Sequence, residues 1–126
     1  MIDTATFQPA ASRWQDICDH LLACGFAVYA PSTKMGDCTS EYIVVRNDGS
    51  TRNTNASTDN DLYAVMCYVP KMRYSTLEPM VQRVKAAMKG LEPMIVPYGN
   101  QTPSYYDDSV KAHMVSIEYK NYKKML

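Results

Sequence analysis

Residues 62–91 read LYAVMCYVPKMRYSTLEPMVQRVKAAMKGL, and this single stretch holds both kinds of element from which the fold is built. Leu62 to Val69 is strand-like, and Pro70, which cannot donate to a ladder, stops it. Ser75 and Glu78 then stand at capping-box spacing just before Leu77, Val81, Val84, Met88 and Leu91, an apolar stripe at helical spacing that Gly90 closes near its end. Pro79 is compatible with this helix, because a proline in the first turn gives up an amide that has no intrahelical partner. Burying each stripe residue is worth about 1.5 to 3 kcal/mol before entropy is counted. Together they rival a domain's net stability of roughly 5 to 15 kcal/mol, so the helix must lie on the sheet.

Upstream, Trp14, Ile17, Cys18, Leu21 and Leu22 recur at helical spacing, with Ser12 able to cap the start and Gly25 to supply the left-handed residue at the end. Phe26 to Ala30 is a short strand closed by Pro31, and a polar connection from Ser32 to Glu41 leads to a second strand, Tyr42 to Arg46. A turn at Asn47, Asp48 and Gly49 follows. Ser50 to Asn60 carries no large apolar side chain and reads as a long loop. Downstream, Met94 to Val96 is a brief strand between Pro93 and Pro97, residues 98–110 form a second loop, and Ala112 to Tyr119 is the last strand. The expected fold is therefore a single α+β domain over residues 1–126, ordered α-β-β-β-α-β-β. Its two helices pack on one face of a mixed, mainly antiparallel sheet. Residues 47–61 and 98–109 are long contact loops, and 120–126 is a basic tail.

The strand from Leu62 to Val69 is apolar on both faces, Leu62, Ala64, Met66 and Tyr68 alternating with Tyr63, Val65, Cys67 and Val69. Two helices can cover one row. An antiparallel sheet open to water should alternate apolar with polar, so the second row calls for cover by another subunit or by a folded-over loop.

A chain of 126 residues fits one core, and 13 basic residues cancel 13 acidic ones, so no global field recruits a polyanion or a membrane surface. The N-terminus lacks a basic flank and apolar run, and no apolar stretch is long enough to span a bilayer; a soluble, cytosolic chain without a secretory signal is expected. Cys18, Cys24, Cys38 and Cys67 match no zinc spacing and read as small hydrophobes or free thiols. A constellation of Cys38, His113 and Asp107 can be drawn, but nothing in the spacing supports it, and phosphate-cradling glycine motifs are absent from the sequence. Asp107 and Asp108, with Asp59 or Asp61, read as solvated acids and not as cation ligands. Lys120, Lys123 and Lys124, interleaved with Tyr119 and Tyr122, form a weak nucleic-acid-like patch or, more simply, a solvated tail. Neither cofactor nor metal is expected, and no enzymatic activity.

The segment TPSYYDDSVKAHMVSIEY, residues 102–119, runs an aromatic and acidic turn into an alternating strand. Tyr105 and Tyr106 offer flat area at small entropic cost, which suits an interface. With YVPKMRYSTLEPMVQRVKAAMKGLEPM and YGNQTPSYYDDSVKAHMVSIEYKNYKK, the chain after Tyr42 resembles the tail terminator, or tail-to-head joining, proteins of long-tailed bacteriophages. That resemblance implies a structural virion protein of the tail or neck, assembled in the host cytoplasm as a homohexameric ring. The ring would cap the tail tube protein, end elongation and dock onto a head-completion or connector protein, while DNA passes its lumen without specific binding. The implied contact residues are Asp48, Arg52, Asp59, Tyr105, Tyr106, Asp107, Asp108, Met114, Lys123 and Lys124. Other neck components and, more remotely, a nucleic-acid-binding module are the alternatives.

Overall fold

The computed structural model describes residues 13–34, 36–52 and 58–124, with the side chains of 50–52, 58–60 and 122–124 outside that description. Helix α1 (Arg13–Ala23) leads to β1 (Val28–Tyr29), β2 (Tyr42–Arg52) and β3 (Thr58–Pro70). Helix α2 (Leu77–Met88), β4 (Ile95–Gln101), β5 (Tyr105–Asp107) and β6 (Ala112–Lys124) follow. The six strands form one sheet in the order β1-β2-β3-β6-β4, with β5 also paired to β6. Only the β1–β2 pair is parallel. This is the expected α+β domain with both helices on one face, with one further short strand.

Helix α1 ends as Gly25 predicts. Gly25 adopts φ +98°, the Gly25 N–H donates to Leu22 and the Phe26 N–H to Leu21, the paired bonds of a Schellman motif. Trp14 Nε1 donates to the Val45 carbonyl at 2.7 Å. β1 pairs only as far as Val44, so the indole occupies the next open carbonyl on the β2 edge.

Helix α2 starts differently from expectation. A 3₁₀ turn (Lys71–Thr76) runs straight into it, the Leu77 N–H donates to the Tyr74 carbonyl, and Thr76, with no side-chain cap bond, is the N-cap. The Ser75–Glu78 capping box is not formed, because the preceding turn already supplies a carbonyl to the helix's first amide. At the other end Gly90 lies in a second 3₁₀ turn, Lys89–Leu91. A Cβ there would come within 2.8 Å of His20 Cε1, so glycine is required by close approach and not by a left-handed turn. His20 Nε2 lies 2.6 Å from the Ala87 carbonyl, which ties the two helices together.

The expected loops are largely strand. β2 continues through a bulge between Asn47 and Ser50, and Ser50 to Arg52 pair with Asp59 to Asp61, leaving only 53–57 of that loop outside the described residues. Polar side chains did not prevent this pairing, because ladder bonds come from the backbone. The basic tail is likewise strand as far as it is described, Lys120 to Lys124 pairing with Thr58 to Leu62, with 125–126 outside the described residues. β4 extends to Gln101, and β5 falls within the second expected loop.

Each face of β3 buries its own cluster. On the helix side Tyr63, Val65, Cys67 and Val69 join Ile17, Leu21, Val81, Val84 and Met88. On the other side Ala64, Met66 and Tyr68 join Cys38, Tyr42, Val44, Ala112 and Met114, with Tyr29 and Val110 against them. Of the two covers the apolar row called for, the structure supplies folded-over chain: the 30–40 connection and the 102–110 arm meet over the sheet, where the Cys38 N–H donates to the Val110 carbonyl at 2.7 Å.

Candidate functional site

The arm that carries Tyr105 and Tyr106 is shaped by its own short-range bonds. Asp107 Oδ1 accepts from the Ser109 N–H at 3.0 Å and the Ser109 hydroxyl at 2.6 Å, an Asx-type turn that returns the chain into β6. At the arm's start, Thr102 donates its N–H to the Ser116 carbonyl and accepts the Ser116 N–H on Oγ1. β5 is thereby held against β6, with Tyr105 opposite Met114 and Tyr106 opposite His113.

Because β5 is a strand, its two tyrosines diverge. Tyr105 lies on the loop-covered face beside Tyr42, Tyr68 and Arg46. Tyr106 lies on the other, against the His113 ring at 5.2 Å, and Tyr74 meets the same imidazole edge-on at 4.7 Å. The Tyr74 hydroxyl and Ser104 Oγ are hydrogen-bonded at 2.8 Å, closing the gap between the 3₁₀ turn and the arm. Lys71 Nζ sits 5.9 Å from the Tyr106 ring centre. Met72 is 89% exposed, and Tyr74 and Tyr106 are also exposed. The result is an aromatic edge of three rings flanked by a protruding methionine, with a 330 Å³ groove behind it between α2 and the arm. Its chemistry is adhesive: flat polarizable area edged by hydrogen-bonding groups.

The remaining expected contact residues scatter. Asp108 is exposed, 3.5 Å from Lys111 Nζ. Asp48 accepts from Arg46 Nε at 2.6 Å near the β2 bulge. Arg52, Asp59 and Lys123 are successive register partners across β2, β3 and β6, with Lys124 at the next position opposite Thr58. Met114 is buried under the arm in the second cluster, so it is a core residue here and not part of an exposed surface. Met72, Tyr74 and His113 were missed as a group. Their signal was KMRY, two large apolar residues between a strand-stopping proline and a helix start, outside any core period.

Cys38 and His113 do not converge. The Cys38 thiol is buried on the loop-covered side and donates to the Ser40 carbonyl, whereas His113 lies between tyrosines on the other side of β6. Burial pushes the Cys18 thiol up to about 11 and the Cys67 thiol to about 12, which leaves both protonated and unreactive near neutrality. Cys24 is exposed. Among the described residues no cluster of three or more His, Cys, Asp or Glu side chains converges on one point, and no helix is long and apolar enough to cross a membrane. No family model matches the chain, and no curated protein matches it.

Proposed function

We propose that the chain is a structural, non-enzymatic assembly subunit, a tail-terminator-like protein whose homohexameric ring caps a phage tail tube and joins it to the head connector. The observation that carries assembly is the exposed edge at which Tyr74 and Tyr106 meet His113, with Met72 exposed on the same turn as Tyr74. Large aromatic side chains provide binding area at low entropic cost, and an exposed methionine adapts to a partner's surface. The apolar row on β3 contributes nothing to this reading, since the chain's own loops cover it. The phage assignment comes from the sequence resemblance, which includes the segments that build this edge.

Closed rings need one patch to meet a different patch on the neighbour. The aromatic edge is one such patch, and a head-completion or connector subunit of the same neck could use it equally. Purified protein mixed with isolated tail tubes and with bare, DNA-filled heads separates these roles. A terminator caps the tubes, seen as end-bound rings in electron micrographs, and leaves the heads alone. The reverse preference moves the protein to the head side of the joint, and binding to neither removes the assignment.

A further inference from the structure

The charges of the chain are divided unevenly along it. Residues 1–61 carry 8 acids against 4 bases, and residues 62–126 carry 9 bases against 5 acids, so a net charge of zero hides two halves of opposite sign. The fold sets these halves on opposite sides of one sheet, because the first supplies α1, β1 and β2 and the second supplies α2, β4, β5 and β6.

Local ion pairs decide what each side has left to offer. At the β5 side Lys71, Met72, Arg73 and Tyr74 are exposed on one turn, and neither Lys71 nor Arg73 is in an ion pair among the described residues. Lys71 Nζ lies over the Tyr106 ring, so the aromatic edge carries a cation of its own. Across the sheet, α1 packs over β1 and β2 and turns Ile17, Cys18 and Leu21 inward. Gln15, Asp19 and Leu22, at i, i+4 and i+7, stay exposed on one face of that helix. Leu22 is 51% exposed. Arg13 is paired with Asp16, whereas Asp19 accepts from Gln15 Nε2 at 2.8 Å and meets no base among the described residues.

We infer that the patch that mates with the aromatic edge is the outward face of α1 on a second copy, Leu22 lying against Met72 and Tyr74 and Asp19 against Lys71 and Arg73. This rests on the assembly reading and names the second of the two patches that a ring requires. The two surfaces match in character: an acid beside an exposed leucine faces bases beside aromatic rings and a methionine. Opposite signs steer the correct encounter, while like signs oppose edge-to-edge and α1-to-α1 pairing. Because the surfaces lie on opposite sides of the sheet, a copy that uses one still presents the other, and association runs head to tail.

Paired charge reversals on the full chain test the mating. Lys71→Glu with Arg73→Glu makes the edge acidic, and Gln15→Lys with Asp19→Lys makes the α1 face basic; all four positions are exposed, so both variants should melt as the parent does. Self-association is read by light scattering at low salt and by end-bound rings on isolated tail tubes. Each double variant alone should associate at least about tenfold more weakly than the parent. An equimolar mixture of the two should recover, since the acidic edge of one then meets the basic α1 of the other around an even-numbered ring. Added salt should weaken association of the parent. Parent rings with either reversal leaving association unchanged, or with no recovery in the mixture, overturn the mating while the assembly reading stands. A parent that forms no rings in either assay overturns the assembly reading and the mating with it. Retardation of a single-stranded oligonucleotide that Lys71→Glu with Arg73→Glu abolishes, rings being unchanged, overturns the mating in favour of a nucleic-acid partner.

Discussion

One face of the sheet is covered by two helices and the other by irregular chain, although the same strand, β3, presents apolar residues to both. Under the helices, Ile17, Leu21, Met80, Val81 and Val84 are fully buried and the side chains are apolar, thiol or phenol groups packed together. Under the loops, the cluster is smaller, contains Tyr42 and Tyr68, and borders a cavity with buried hydroxyls. A regular helix offers a continuous apolar stripe that can fill a sheet surface; a loop reaches the sheet with a few residues and leaves space between them. The helix side therefore holds the fold, while the loop side has room for chemistry.

The sharpest way to break this contrast is to place a charge under α2. Val84 is fully buried, and Val84→Asp leaves a carboxylate without a partner, which should cost more than about 4 kcal/mol and unfold the domain. Circular dichroism and urea titration would show it. A folded, cooperative variant would mean that α2 does not seat on the sheet as described.

The same substitution made on both sides then measures the difference. Met80 on α2 is fully buried, and Met66 on the loop-covered face is nearly so. Met80→Ala should cost about 3 to 4 kcal/mol, whereas Met66→Ala, beside a cavity and under chain able to shift inward, should cost about 1 to 2 kcal/mol. Equal losses in urea midpoint would show that the loop side is packed as tightly as the helix side.

Alkaline pH loads both faces, since burial also raises Tyr42, Tyr68 and Cys38 under the loops, and a substitution under the helices isolates that side's share in smaller steps. Burial pushes Tyr119 up to about 12, as it does Cys67, and Cys18 to about 11, and all three belong to the cluster under the helices. Each is an acid whose proton the folded chain retains after the unfolded chain has released it. Between the unfolded values, near 9 for the thiols and 10 for the phenol, and the raised folded values, stability must fall as pH rises. The slope approaches about 1.4 kcal/mol per pH unit for each group wholly inside its window. Urea titrations between pH 8 and 11 should show the fall, and Tyr119→Phe should make it shallower. A flat profile would mean that water reaches these groups.

How much of this was readable in advance follows the same division. The stripe from Leu77 to Leu91 announced α2 and the face it buries, and the Trp14 to Leu22 period with Gly25 announced α1, because helix-on-sheet packing writes a period into the sequence. The hairpin beyond Arg46 left no such trace. Ser50 to Asn60 looked like loop, yet Ser50 to Arg52 and Thr58 to Asn60 continue the ladder by backbone bonds that need no apolar residue. β5 is three residues long and exists because the β6 edge is there to pair with it. The double apolar row on β3 correctly required two covers, but nothing in the 30–40 and 102–110 segments showed that they would meet at Cys38 and Val110. The aromatic edge was half visible: Tyr106 stood out, while Tyr74 and His113 joined it only through the turn after Pro70.

The smallest effect on stability, and the most direct test of assembly, belongs to that edge. Tyr106 packs on His113 from an exposed position, and Asp108 reaches only Lys111 across solvent, an ion pair worth little. Tyr106→Ala combined with Asp108→Ala should therefore shift unfolding by about 1 kcal/mol or less, as expected for surface positions away from the core. If the edge mates with a neighbour, the same two changes remove an aromatic anchor from the interface, where truncation costs about 2 kcal/mol or more and weakens association some thirtyfold. Ring formation and capping of tail tubes should then be lost in a protein that melts almost normally. Rings and capping that survive unchanged would take the arm out of the contact surface and leave Met72 and Tyr74 on the neighbouring turn to account for assembly by themselves.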